Sequence, residues 1–178
     1  GAAEIGVAKI FASAAAPEEG PRNPDVIRRL RATGEYAGGK GVVICMETHP
    51  PMGLNAEVAR ETLGAVDHPA VRFNFDTANV YYYNHGTDAV AELRKALDLV
   101  ASVHIKDTDG GFHSGQFGRI GSGVVDFPTV FKMLGDRGCT GPYTLELEGE
   151  LIKPLDVDGR TDFLKDSLDY LRCIGAMA

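Results

Sequence analysis

Four short apolar runs in this chain each close on a residue that binds hard cations, and their spacing fits one kind of chain connection. The runs are GVVICME ending at Glu47, VRFNFD at Asp76, ASVHIKD around His104 and YTLELE at Glu146. From Glu47 to Asp76 is 29 residues, from Asp76 to His104 is 28, and from His104 to Glu146 is 42. Each interval holds an amphipathic stretch long enough for one helix, so the rhythm is strand, loop, helix, strand. Parallel strands joined by helical crossovers leave all their C-terminal ends on one face. Four ligands at four such ends can converge on one ion, which makes an enzyme the leading reading.

Strands are expected over 7–13, 41–46, 71–75, 100–105 and 143–147, and helices over 24–35, 55–66, 87–99, 127–138 and 161–174. Asn23 and Asn55 stand where N-caps belong. Val26, Ile27 and Leu30 recur at helical spacing in the first helix, Val58, Leu63 and Val66 in the second, and Val90, Leu93 and Leu97 in the third. Residues 1–6 look like the tail of a helix. Pro17, Gly20 and Pro21 mark 14–23 as a loop, and a second, Gly-rich loop runs over 109–123. Five strands alternating with five helices make an α/β chain.

Residues i and i+2 of a strand face the same side. Glu47 therefore shares a side with His49, Asn74 with Asp76, His104 with Lys106, and Glu146 with Glu148. Polar groups on the inward parity of four strands would destabilise an apolar core, but they suit the mouth of a barrel. A closed eight-stranded barrel takes about 250 residues, so five βα units read either as the C-terminal piece of a longer barrel or as an open sheet. The piece is the expectation. A single Glu at a strand end is usually a solvated loop residue or an ion-pair partner, and a single His after an apolar run is usually a hydrogen-bonded core residue. Four such residues on four successive strands are better explained by a shared site. Three carboxylates and one imidazole form a hard, oxygen-rich set suited to Mn²⁺, Mg²⁺ or Co²⁺, with Zn²⁺ also admitted.

The chain's 178 residues suit one domain spanning 1–178. A net charge of −7 argues against a phosphate backbone as the main partner. Cys45, Cys139 and Cys173 are odd in number and lack C-x-x-C spacing, which points to free thiols and a reducing, cytoplasmic compartment. There is no signal-peptide pattern and no apolar run near membrane-spanning length, so no membrane is expected as a partner.

The motifs METH (46–49), FDTAN (75–79), VHIKD (103–107), IGSGVVDF (120–127) and GPYTLELEG (141–149) resemble those of the xylose-isomerase-like TIM barrels. That sugar phosphate isomerase/epimerase superfamily includes ketose 3-epimerases, hydroxypyruvate isomerases, inosose dehydratases and type IV apurinic endonucleases. The resemblance runs through the whole chain and aligns it with strands four to eight of a (β/α)8 barrel. It implies a divalent metal held by Glu47, Asp76, His104 and Glu146. It also implies proton transfer by Glu47 and Glu146 through an ene-diolate, on a small sugar or sugar acid. Arg119, in the FGRIGSG loop, matches an arginine that contacts substrate in related epimerases.

His49, two residues beyond Glu47, is a candidate for a substrate hydroxyl or for a supporting hydrogen bond. Lys106 is a candidate for a substrate oxygen or for offsetting the site's negative charge. His113 reads as a solvated loop residue, and the tyrosines at 81–83 either bound a pocket or pack on the next helix. The backbone of GSG (121–123) either binds a phosphate or makes a turn. Many relatives carry D-x-x-H after the second of these strands, where this chain has Asn79. That loss, with only five histidines in all, disfavours the multi-zinc nuclease. The readings that stand are an aldose–ketose isomerase or ketose epimerase, an inosose-type dehydratase, and a non-catalytic barrel fragment or binding module. A partial barrel with two open edges is further expected to associate with itself, as a homo-oligomer, or to pack against N-terminal residues outside this sequence.

Overall fold

Every connection between strands crosses over through a helix, and the result is a single parallel sheet. A computed structural model describes residues 1–13 and 20–177. Strands β1 (Lys9–Ala12), β2 (Val43–Glu47), β3 (Val71–Asp76), β4 (Val100–Ile105) and β5 (Tyr143–Leu145) pair in sequence order. All four pairings are parallel. Strand order that follows chain order is what a right-handed run of βα units gives, and it curls the sheet into an arc of a barrel.

The helices are α1 (Pro24–Gly38), α2 (Ala56–Val66), α3 (Asn79–Tyr83), α4 (Ala89–Ala96), α5 (Phe127–Asp136) and α6 (Val157–Cys173). Five of the six start on an Asn or Asp whose side chain accepts from the first turn: Asn23, Asn55, Asp88, Asp126 and Asp156. Two of these caps correct expected boundaries. The helix expected from 87 begins at Ala89, because Asp88 turns its carboxylate onto the Ala91 N–H at 2.8 Å. The closing helix starts at Val157, because Asp156 accepts from Gly159 N at 2.9 Å. The expected helix tail over 1–6 is a 3₁₀ turn, Ala2–Ile5, ended by Gly6 at φ 75°. Helix α3 was not anticipated, since five residues are too few to show a period. The loop expected over 14–23 falls partly outside the described residues. Its last part, Gly20–Arg22, is a 3₁₀ turn.

Strand parity divides the molecule. Val71, Phe73 and Phe75 of β3, and Val103 and Ile105 of β4, face the helices and join one buried cluster with Leu93, Phe127 and Leu134. Each such fully buried side chain contributes on the order of 1.5–3 kcal/mol. The opposite parity faces the hollow of the arc and is polar. There Ser102 Oγ donates to Asn74 Oδ1 at 2.6 Å, below a layer containing Asp76 and His104, which are register partners. Among the described residues the outer strands β1 and β5 each have one neighbour only. On the β1 side Ile5 is 77% exposed and Phe11 57%. No described helix is long and apolar enough to cross a membrane.

Candidate metal centre

The C-terminal ends of β2, β3 and β4 and the residue after β5 bring Glu47, Asp76, His104 and Glu146 together. One ligand atom from each lies within 4.8 Å of all the others. His104 Nδ1 is 3.0 Å from Glu146 Oε2, 3.4 Å from Glu47 Oε1 and 3.8 Å from Asp76 Oδ2. Octahedral ligands about 2.1 Å from an ion are about 3.0 Å apart when adjacent and about 4.2 Å when opposite, so the cluster has the dimensions of such a site.

Asp76 is built into the backbone. Its Oδ1 accepts from Ala78 N and Asn79 N, both at 2.8 Å, while Oδ2 is buried without a hydrogen-bond partner among the described residues. A fully buried carboxylate oxygen without a hydrogen bond is costly, and the Lys106 ammonium 3.3 Å away offsets that only in part. The placement of Oδ2 among three further ligand atoms fits a divalent cation. The electrostatics agree. Burial raises the carboxyl pKa of Asp76, but His104, Lys106 and the Asn79 N–H outweigh it and hold the group below its ordinary range. Glu47 is lowered likewise, burial being outweighed by His104 and by the hydroxyl of Ser13, which donates to Glu47 Oε2. On His104 burial acts to lower the pKa, yet Asp76, Glu146 and Glu47 push it up to about 11. That is the mark of a pocket with surplus negative charge.

Lys106 lies deeper than any other cation described. It is 2% exposed, with Nζ 2.7 Å from Glu148 Oε1, 3.1 Å from Glu146 Oε2 and 3.3 Å from Asp76 Oδ2. Phe117 covers it, the ring centroid 4.7 Å from Nζ. Burial lowers the Lys106 pKa, and Asp76, Glu148 and Glu146 together raise it further, so the ammonium stays charged. Phe117 and Glu148 also line a cleft of about 300 Å³ with Tyr82, Tyr83, His113 and Lys153. A larger cavity of about 460 Å³ lies on the helix-facing side of β1, against Ile10 and Tyr36, and holds none of the site residues.

The other sequence candidates lie elsewhere. His49 sits past the end of β2, exposed, with Nδ1 2.7 Å from Pro50 O and its ring edge-on to Tyr83 at 5.0 Å. Arg119 pairs with Asp166 of α6 at 2.8 Å and stacks over Phe163 at 4.8 Å; it makes no ion pair with the cluster. Tyr81 packs on α4, its hydroxyl accepting from Ala89 N at 3.1 Å, whereas Tyr82 and Tyr83 face the cleft. The GSG amides are already occupied: Gly121 N and Gly123 N each donate to Asp107 Oδ2 at 2.8 Å. Asn79 ties its loop back to β2 by donating to Thr48 O at 3.0 Å.

Residues 2–173 match the xylose isomerase-like TIM barrel family. The chain belongs to that family. Among individual members, it is 30% identical over 130 residues to an inosose dehydratase of Serratia proteamaculans, a match covering 64% of this chain and 44% of that protein. It is 39% identical over 123 residues to the L-ribulose-5-phosphate 3-epimerase UlaE of Escherichia coli, covering 68% of this chain and 42% of that one. A xylose isomerase domain protein from Planctomyces limnophilus superposes with a TM-score of 0.80 at 24% identity, over 97% of this chain and 61% of its own. The matched segments thus make up under half the length of these two sequence relatives.

Within this xylose isomerase-like arc several supporting residues escaped the sequence reading. Thr48 and Thr77 each follow a residue of the cluster, Glu47 and Asp76, and clip its strand to the next one. Thr48 Oγ1 accepts from Asp76 N at 3.0 Å, and Thr77 Oγ1 accepts from Lys106 N at 3.0 Å. The signal was present, as Glu-Thr and Asp-Thr at two successive strand ends. Phe11, whose ring meets His104 edge-on at 4.7 Å, and Ser13 gave no comparable signal.

Proposed function

We propose that this chain carries the metal centre and the proton-transfer groups of a metal-dependent sugar isomerase or epimerase acting on a small sugar or sugar acid. The observation that carries the reading is the convergence of Glu47, Asp76, His104 and Glu146, with Asp76 Oδ2 buried among them without a hydrogen bond. Those four residues would hold a divalent ion of the Mn²⁺, Mg²⁺ or Co²⁺ class, with Zn²⁺ admitted by the same donors. When bound, such an ion supplies Lewis-acid polarisation of a carbonyl.

The chain's own groups do the rest. Glu146, with 30% of its side chain exposed, is open to a substrate and takes the proton from the carbon next to the carbonyl. Glu47, held as a carboxylate by Ser13 and His104, is its counterpart. It takes up a proton from solvent as charge builds on the ene-diolate and delivers it to the opposite face in epimerisation, or to the neighbouring carbon in isomerisation, while Glu146 gives its captured proton back to solvent. Lys106 faces the negative charge that develops on the ene-diolate oxygen. Tyr82, Tyr83 and Phe117 exclude water from one side, and His49 stands where it can reach a substrate hydroxyl. Arg119 would have to leave Asp166 to join them. The three free cysteines fit a reducing compartment such as the cytoplasm. An inosose-type dehydratase is the second reading, supported by the Serratia relative. It shares the first proton abstraction and then expels a hydroxyl.

The test is turnover in deuterated water with Mn²⁺, using a panel of ketoses and inososes and following products by NMR. Deuterium at the α-carbon without loss of water supports the epimerase or isomerase, and loss of one water supports the dehydratase. Glu146→Gln should cost about two to four orders of magnitude in rate. Unimpaired turnover by both Glu47→Gln and Glu146→Gln would refute the carboxylate pair.

A further inference from the structure

At the other end of the arc, where the strands begin, a cleft of about 350 Å³ is lined by Lys9, Arg72 and Arg137. None of these three makes an ion pair with a carboxylate among the described residues, although Arg28, Arg60, Lys95, Lys132, Lys165 and Arg172 all do. Arg29, Arg31, Lys40, Arg94, Lys153 and Arg160 likewise form no ion pair among the described residues, so it is the convergence of three such cations on one cleft, rather than the missing partners alone, that asks for an explanation. The single carboxylate in the lining, Asp98, is taken by Arg60 at 2.5 and 3.1 Å.

Two of the cations are held in place. Lys9 extends from β1 across the inside of the arc and donates to Ala101 O at 2.9 Å and to Gly141 O, which leaves one ammonium N–H for the cleft. Arg72 donates one guanidinium N–H to Asp98 O and keeps the others. Arg137 ends α5 from the exposed side. Partly buried cations without a counter-charge are unfavourable, and planar guanidinium donors match tetrahedral and planar oxyanions. We propose that this cleft binds a small oxyanion, either inorganic phosphate or the phosphate group of a phosphorylated metabolite. It is separate from the carboxylate cluster: Arg72 and Asp76 lie on one strand four residues apart, about 13 Å at strand rise.

The experiment is isothermal titration of the 178-residue protein with inorganic phosphate, against chloride at equal ionic strength, alongside thermal melts in both salts. Phosphate should bind saturably and raise the melting temperature. Arg72→Met and Arg137→Met should each weaken binding about tenfold, as expected for losing one charged hydrogen-bond donor. Both variants should leave Mn²⁺ binding unchanged. Arg137→Met alters an exposed side chain, so it keeps the test valid if another variant fails to fold. D-ribose 5-phosphate identifies the source: tighter binding than phosphate, lost in the double variant, points to a metabolite, and equal or weaker binding points to the free anion. No saturable phosphate binding beyond chloride, or equal binding by the double variant, would overturn the proposal.

Discussion

Replacing Lys106 by methionine keeps most of the side chain's length and removes its charge. In the wild type the ammonium is 3.3 Å from Asp76 Oδ2. At an effective dielectric of about 20 that separation corresponds to about 5 kcal/mol of attraction, offset in part by the desolvation of Lys106 itself. Glu148 is half exposed and adds little. The net loss should fall in the range of about 3–5 kcal/mol seen when one partner is stripped from a buried pair. For a chain of this size that is a drop in melting temperature of about 6–20 °C. Melts in EDTA measure it directly. Adding Mn²⁺ should close much of the gap, because an ion at the cluster supplies the missing positive charge. The variant should also bind Mn²⁺ at least about tenfold more tightly than the wild type, since the ammonium no longer repels the ion. If Lys106→Met is as stable as the wild type in EDTA and binds Mn²⁺ no more tightly, Lys106 is not the counter-charge of this site.

Two other outcomes follow from the same contacts. Asp107 accepts from the backbone N–H groups of Thr108, Gly121, Gly123 and Val125. Asp107→Ala should therefore destabilise the chain by about 3–5 kcal/mol and speed hydrogen exchange at Gly121 and Gly123; unchanged exchange there would remove Asp107 as the anchor of that loop. The unpaired outer edges of β1 and β5 should make the isolated chain self-associate in light scattering, with Ile10→Lys reducing it, and a monomer at high concentration would contradict this.

The sequence carried the strand rhythm and the clustering of Glu47, Asp76, His104 and Glu146 because both depend on local patterns, namely apolar runs and the residues that close them. Strand parity correctly put Asp76, His104, Lys106, Glu146 and Glu148 on one side, and the distances bear this out. His49 lies past the last paired residue of β2, exposed, with its ring against Tyr83 of the cleft. The position of Arg119 was illegible in the sequence. A loop of irregular backbone carries no period, and only its tertiary partners, Asp166 and Phe163, fix where the guanidinium points. Asp107 shows the same limit, since its four donors come from residues up to 18 positions away.

A crystal of the 178-residue protein soaked in Mn²⁺ and measured at the manganese edge tests the central claim most directly. The account predicts one strong anomalous peak, about 2.0–2.3 Å from oxygens of Glu47, Asp76 and Glu146 and from a ring nitrogen of His104, and its loss in Asp76→Ala. A peak elsewhere, or none at saturating Mn²⁺ with the four side chains still clustered, would contradict it.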